Sequence, residues 1–347
     1  MLLERIVLRH FRNQEMGLFD ISPTVTVIIG ENARGKTNLL EAIYFLINGV
    51  GFRESKEEEL IQMGEGQSVV EGKFKEKKSH FDYKIHVRKK EAVIEKTYFI
   101  QKTKKRHAQY LQDQTKAILF APEQIDIITG PPDMRRSYLN KQISQYDFEY
   151  KKKVANLESA IRRRNKIFEF VRDEQKLESQ LLFWNNYIIE QSTYITHKRE
   201  EYITYLNNHP SLDHKPFGAV YLKNEATPKR FEEVYAHEKR VRKTLIGPQK
   251  DDFEVYIKQG FNKKVQHYGS RSEQRLAIFW LKMNEIWYFE ELFRKKPILL
   301  LDDIFSEFDR TNKKAILELI KKYQTVLTTT EEEIVDYVEG KKTIIRV

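Results

Sequence analysis

The chain reads as an α/β protein whose main domain is split, with an antiparallel β insert and an inserted helical arm. Three observations predict this. Thr24 to Ile47, TVTVIIGENARGKTNLLEAIYFLI, is an apolar strand, a Gly-containing loop and a helix in succession. From Ser68 to Ile100 the apolar residues recur with a period of two. Last, strand and helix alternate on both sides of a helical section, and such alternation implies a mostly parallel sheet. The expected organisation is a split α/β domain at 1–130 and 244–347, with an arm domain at 131–243.

Taken in order, Leu3, Ile6, Leu8 and Phe11 mark a first strand, and Val25, Val27, Ile28 and Ile29 a buried one. Leu39, Leu40, Ile43, Leu46 and Ile47 keep helical spacing from Lys36, and Gly49 and Gly51 end that helix. Residues 52–66 are polar and acidic, a surface segment. Lys-rich turns at Lys77-Lys78-Ser79 and Lys89-Lys90-Glu91 divide residues 68–100 into a meander. Ile118-Leu119-Phe120 is a further short strand, and Gly130-Pro131-Pro132 a hard break.

Val154, Leu157, Ile161, Phe168 and Val171, then Leu181, Trp184, Ile188, Ile195 and Tyr202, predict two antiparallel helices joined near Asp173–Lys176. Asn207-Asn208-His209-Pro210 ends them, and Thr227-Pro228 caps one more helix to about Lys243. Beyond the arm come a strand at Phe253–Ile257, a helix from Ser272 to Leu292 and a buried strand over Pro297–Leu301. A helix after Thr311 and strands at Thr325–Thr328 and Thr343–Val347 complete the chain.

Gly30-Glu31-Asn32-Ala33-Arg34-Gly35-Lys36-Thr37 fits G-x-x-x-x-G-K-[ST] in the strand–loop–helix context that this motif requires. Gly30 and Gly35 let the backbone turn its N–H groups toward an anion beside the positive end of the helix. Lys36 reaches β- and γ-phosphates and the Thr37 hydroxyl ligates Mg²⁺, so the loop is read as a nucleoside triphosphate site. Asp302 and Asp303 close an apolar strand, at the sheet edge where ligands bind. Asp302 is assigned to the metal and Asp303 to the attacking water, as base or positioner. Tyr268–Arg275 opens the long helix with a hydroxyl and a cluster of backbone N–H groups, a second anion site. Taken alone, that stretch also reads as an ordinary helix cap.

The chain has 347 residues, 40% of them hydrophobic, enough for about two domains with real cores. No apolar run approaches the roughly 18 residues that span a bilayer, and the N-terminus does not read as a signal peptide. Cysteine is absent, which fits a cytoplasmic protein and excludes disulfides and thiolate metal sites. A net charge of +10 points to a polyanionic partner or to a solvated lysine-rich surface.

Together, the loop, Ser270–Arg275, Asp302-Asp303 and Ser306–Asp309 resemble an ABC-type P-loop ATPase head of the SMC kind. The closest resemblance is to the RecF family of DNA repair proteins. It extends over LRHFRN, GENARGKTNLLEAI, LFAPEQIDIITGPPDMRRSYL, the arm with Arg164-Asn165 and Trp184, TLIGPQKDDF and ILLLDDIFSEFD. The resemblance implies an ATP-dependent homodimer in which Ser270, with Gln274 nearby, completes the site of the opposite subunit. It also implies weak, DNA-stimulated ATP hydrolysis used as a switch, and binding at gaps and single-strand/duplex junctions. RecR is the implied protein partner, with RecO and RecA in the same pathway. Two positions depart from the family pattern. Ala33 stands where the loop usually has Gly, and Ser272 where the signature S-x-G has Gly, so a side chain stands where close approach to the γ-phosphate is expected.

If DNA is the partner, phosphate contacts should dominate and weaken with salt. The basic clusters are Lys102, Lys104-Lys105-Arg106, Arg135-Arg136, Lys151-Lys152-Lys153 and Arg162-Arg163-Arg164. No base-reading motif is present, so binding is expected without sequence specificity. Two other functions compete. One is a transporter ATPase, disfavoured by the arm, by TLIGPQKDDF and by Thr329-Thr330 where a switch histidine would stand. The other is a DNA-binding module that holds ATP without turnover.

Overall fold

The computed structural model describes every residue except Glu54, Ser55, Ala92, Asp113, Gln114, Pro210, Asp213, His214, Phe308, Asp309 and Glu339. Part of the Ser306–Asp309 stretch therefore lies outside the described residues. The first segment runs β1 (Leu2–Phe11), β2 (Gln14–Asp20), β3 (Val25–Ile29), α1 (Lys36–Asn48), β4 (Gln67–Glu76), β5 (Ser79–Lys90), β6 (Val93–Ile100), β7 (Thr103–Lys105), α2 (His107–Gln112) and β8 (Ala117–Phe120). Next come α3 (Asp126–Thr129), α4 (Pro132–Ser144), α5 (Phe148–Phe170), α6 (Glu174–Asn208), β9 (Ser211–Leu212), β10 (Lys215–Leu222) and α7 (Pro228–Val241). The last are β11 (Asp252–Gln259), β12 (Phe261–Lys264), α8 (Val265–Tyr268), α9 (Arg271–Phe293), β13 (Ile298–Asp302), α10 (Arg310–Ile320), β14 (Thr325–Thr329), α11 (Glu333–Tyr337) and β15 (Lys342–Arg346). Among the described residues no helix is long and apolar enough to cross a membrane.

Packing divides the chain into two compact units, Met1–Glu123 with Lys282–Val347, and Gln124–Leu281, the second division falling within α9. The first unit carries two sheets. Five strands run parallel in the order β15-β3-β14-β13-β8. Every residue of β3, β13 and β14 is buried, as strands covered on both faces require. The second sheet, β2-β1-β4-β5-β6-β7, is antiparallel. The meander is thus not self-contained, because β1 is its hydrogen-bonded neighbour through Leu2–Arg9. α1 packs in the core shared by both sheets, with Leu39, Ile43 and Phe45 among Leu3, Ile6, Val70, Ile85, Leu119 and Leu300. Gly72 is small for this reason: a Cβ there would sit 2.3 Å from Leu46.

In the second unit α5 and α6 form the expected helical hairpin. Asp147 and Asp173 cap them by accepting from the backbone N–H groups of Tyr150 and Lys176. Thr227 likewise caps α7 through the Arg230 N–H. At 35 residues α6 is about 52 Å long. β11 does not extend the parallel sheet. It pairs antiparallel with β10 and β12 in the order β12-β11-β10-β9. Residues 124–130 and 244–281, assigned from sequence to the split α/β domain, therefore pack with the helical unit.

Candidate nucleotide-binding site

β3 ends at Ile29, and the loop it feeds has little freedom at its glycines. A Cβ on Gly30 would lie 2.2 Å from the Val347 carbonyl oxygen, because the Val347 N–H donates to Ile29 at 3.0 Å. Gly35 has φ 103°, where a side chain is strained. α1 begins without a side-chain cap and without an acidic residue in its first turn. Its N-terminal N–H groups and positive dipole end are therefore available to an anion. Lys36 is buried, and its ammonium donates to the carbonyls of Gly30 and Glu31 at 2.8 Å each, holding a cation at the loop.

Ala33 sits at φ 65°, in the left-handed region that costs a residue with Cβ roughly 1 kcal/mol. Since this strain is already present without nucleotide, Ala33→Gly should change ATP affinity by less than about threefold, read by titration calorimetry. A larger loss would show that the strain pre-organises the loop.

β13 delivers Asp302, buried, at the C-terminal edge of the parallel sheet. The Thr37 hydroxyl donates to its Oδ1 at 3.0 Å, and Thr328 on the intervening β14 donates to the same atom at 2.7 Å. The Thr328 Oγ in turn accepts the Asp303 N–H at 3.0 Å, which holds Asp303 at φ 47°. Burial pushes the Asp302 carboxyl above its ordinary value of 3.8, against the hydrogen bonds from Thr328 and Thr37. An acid raised in this way contributes stability fully present below the unfolded pKa and lost as pH rises through the folded one. At neutral pH the ionised Asp302 therefore destabilises the nucleotide-free chain. Asp302→Asn should raise its thermal midpoint by a few degrees at pH 7, with a gain that shrinks as pH falls toward that of the free carboxyl. The same change should remove the Mg²⁺-dependent part of the stabilisation by ATP, both effects being visible in thermal denaturation.

The donor set fits Mg²⁺. Thr37 and Asp302 offer hard oxygens 3.0 Å apart in a setting that disfavours an uncompensated carboxylate. Among the described residues no cluster of three or more His, Asp or Glu could hold a metal by itself. The pair of oxygens from Thr37 and Asp302 suits Mg²⁺, which takes one or two protein ligands and completes its shell with phosphates and water.

The loop is braced by residues outside the phosphate motif itself. Glu41 is fully buried on α1 and accepts both ends of the Arg12 fork, at 2.8 and 3.0 Å. It also accepts the N–H groups of Phe52 and Arg53, at 3.2 and 3.0 Å. Asn13 accepts from the Asn38 carboxamide at 2.7 Å, and a Cβ on Gly35 would meet Asn13 at 3.1 Å. An acid on the buried face of an apolar helix was the available signal, since it requires a cation such as the one in LRHFRN.

Residues 2–346 match the family described as RecF/RecN/SMC N terminal domain. The DNA replication and repair protein RecF of Caldanaerobacter subterraneus subsp. tengcongensis is 31% identical over 97% of this chain and 96% of its own. The chain belongs to the RecF family. Two solved structures are similar over nearly the whole fold. One, described as the recombination mediator protein RecF-ATPrS in the RecFOR pathway, has TM-score 0.87 and 27% identity over 99% of this chain and 95% of that one. The other, described as RecF-ATP of the same pathway, has TM-score 0.84 and 27% identity over 95% and 92%.

In this RecF-family chain the signature residues lie in the second unit. The Ser270 N–H donates to the Glu273 carboxylate at 2.7 Å and the Ser270 hydroxyl accepts the Glu273 N–H at 3.2 Å, a reciprocal capping box. Lys263 adds a 2.8 Å ion pair to Glu273. The helix-cap reading of the stretch is thus correct as local structure. Gln274 is buried, with its carboxamide 3.4 and 3.3 Å from the Val265 and Gln266 carbonyls. Ser272 is exposed beside it.

The basic clusters divide into structural and exposed members. Arg135 is buried in a bidentate pair with Asp252, at 2.6 and 3.0 Å, and Arg136 donates to the Asp251 carbonyl at 2.6 Å. Arg164 is buried against Glu238 at 2.6 Å and Thr244 at 3.0 Å, with its guanidinium over Phe168 and Phe231. Lys153 pairs with Glu190 at 2.9 Å. Of the expected DNA-binding set, Arg135 and Arg164, buried with their charge neutralised by acids of the same unit, are corrected to packing roles, whereas Arg136 and Lys153 pair with the exposed Asp133 and Glu190. Lys102, Lys104, Arg106, Lys151, Lys152, Arg162 and Arg163 remain exposed.

Proposed function

We propose that this RecF-family chain is an ATP-dependent DNA-binding protein of recombinational repair and replication. In this reading it binds single-strand/duplex gap junctions without sequence preference. It switches by ATP-driven dimerisation and slow hydrolysis. The observation that carries the proposal is the Thr37–Asp302 hydrogen bond of 3.0 Å, which joins the phosphate loop to the acidic end of β13. Similarity to RecF proteins described as DNA replication and repair proteins and as a recombination mediator supports the biological setting.

Lys36 would exchange its loop carbonyls for β- and γ-phosphate oxygens, and the N–H groups of the loop and of α1 would enclose the same anion. Thr37 and Asp302 would hold Mg²⁺, which supplies positive charge to the phosphate oxygens. Asp303, fixed by Thr328, would orient a water and accept its proton. Ser270 and Gln274 of a second copy would close the far side of the triphosphate. Lys102, Lys104, Arg106, Lys151, Lys152, Arg162 and Arg163 are the exposed members of the basic clusters available to DNA phosphates, and RecR is the protein partner, with RecO and RecA acting in the same pathway.

ATPase assays with and without gapped DNA test the proposal. Turnover should be slow, should rise on gapped DNA and should vanish in Lys36→Arg. Hydrolysis indifferent to DNA would sink it. A second reading, an ATP-holding module with almost no turnover, is favoured by Ser272 at the signature glycine and by the engagement of Ser270 in its own helix cap. DNA binding without any measurable hydrolysis would select that one.

A further inference from the structure

The phosphate loop and Asp303 leave the parallel sheet at the C-terminal ends of β3 and β13. At the opposite ends of the same strands, about 16 Å away by strand length, lies a cleft of about 840 Å³. Six chain segments build it: Met1 and Leu2, the start of β3, the β4–β5 turn, the stretch from α9 to β13, the end of α10 with its connection to β14, and Tyr337, Val338, Gly340 and Lys341 from the end of α11 toward β15. None of its lining residues has a part in the nucleotide reading.

Its lining has two characters. Leu2 and Tyr337, both exposed, give it an apolar wall, backed by the buried Ile320, Tyr323 and Pro297. Around that wall stand eight lysines and arginines against a single acid, Glu76, among the described lining residues. Lys75 reaches toward Glu4 and Lys321 pairs with Glu318, but Lys77, Arg294, Lys322 and Lys341 take part in no described ion pair. Like charges concentrated around an apolar wall repel one another, and they are relieved by a ligand that brings negative charge and apolar surface together.

We infer that this cleft is a docking site for an acidic segment of a partner protein in which carboxylates alternate with large apolar side chains. Charge complementarity selects an acidic ligand. The apolar wall selects a peptide over a nucleic-acid backbone, whose phosphates gain nothing from Leu2 or Tyr337. The volume suits a short stretch of chain, being at the upper end of the range of ligand pockets. Anchors of this kind, apolar at the centre with charges at the rim, are how protein interfaces divide affinity from orientation.

Fluorescence anisotropy on the full chain tests it, using a labelled synthetic peptide in which Asp and Glu flank Leu and Phe. Lys322→Glu combined with Lys341→Glu should weaken binding about tenfold, as loss and reversal of two rim charges would. Tyr337→Ser, at an exposed apolar position of the lining, should also weaken it. A peptide of Glu alone should bind at least as poorly as the charge-reversed variant binds the mixed peptide. Lys36→Ala should bind the mixed peptide normally, which keeps this result separate from the nucleotide reading. Unaltered thermal midpoints establish that the variants are folded. Equal binding of the Glu-only peptide, or no loss on charge reversal, would overturn the inference. So would a duplex oligonucleotide whose affinity, rather than the peptide's, falls with the reversal, and that outcome would reassign the cleft to nucleic acid.

Discussion

Lys36→Ala is expected to weaken ATP binding by roughly a hundredfold and to abolish hydrolysis, the largest functional effect of any single change in this chain. The lysine is buried and already desolvated, and its two 2.8 Å bonds to loop carbonyls mark where phosphate oxygens would be exchanged in. A hydrogen bond to a charged group is worth about 1.5–3 kcal/mol, and because two phosphate bonds replace two loop-carbonyl bonds, a net loss near the upper figure accounts for the expected hundredfold. Lys36→Arg should fare nearly as badly, because a planar fork does not fit a cradle shaped for a compact ammonium. Titration calorimetry gives the affinity. Thermal denaturation of the nucleotide-free variants separates lost binding from lost fold, since the wild type should be stabilised by ATP and the variants should not. Near-normal ATP affinity in folded Lys36→Ala would place the triphosphate elsewhere.

The nucleotide loop was legible in the sequence because everything that makes it is local. Val25–Ile29, the eight-residue motif and the apolar spacing of α1 are contiguous, and the structure returns β3, loop and α1 in that order. The same holds for the cap at Thr227, for the helix joint near Asp173 and for the apolar run ending in Asp302. What was not legible is pairing at a distance. β2 is a half-exposed edge strand with polar alternation, and β10 contains Pro216 and Gly218, so neither carries a strong strand signal. Without β10 in view, the FEVYI strand had no visible antiparallel partner and was grouped with the parallel sheet. The arginines failed for a related reason. Arg162, Arg163 and Arg164 are identical in type, yet among the described residues only Arg164 meets an acid, 74 residues away at Glu238. Charge runs show where cations are, and burial decides what they do.

The TLIGPQKDDF segment, quoted above only as part of the family resemblance, is a packing hub, and its disruption carries the largest expected stability effect. Asp251 is fully buried. Its carboxylate accepts from the Arg199 guanidinium at 2.9 Å, from the Asn224 N–H at 2.6 Å and from the Tyr221 hydroxyl. Arg199, itself buried, also donates to the Pro248 carbonyl at 2.7 Å, to Asn140 at 2.9 Å and to the Tyr150 hydroxyl at 3.0 Å. Burial pushes both tyrosines above their ordinary value, so they stay neutral donors. The network therefore holds one cation and one anion, each needing the other. Asp251→Ala should cost about 3–5 kcal/mol, because it strands a buried guanidinium beside neutral partners. Against a total stability of about 5–15 kcal/mol that is a lowered thermal midpoint of roughly 10 °C or more. Arg199→Met combined with Asp251→Ala should recover part of the loss, since no charge is then left unpaired, and chemical denaturation of the cycle gives the coupling. If the single change costs under about 1 kcal/mol, or the double change is simply additive, the pair is not what holds this region together. The expected outcome instead ties Asp251 and Arg199 to folding, 52 residues apart, and leaves ATP binding to Lys36 and its neighbours.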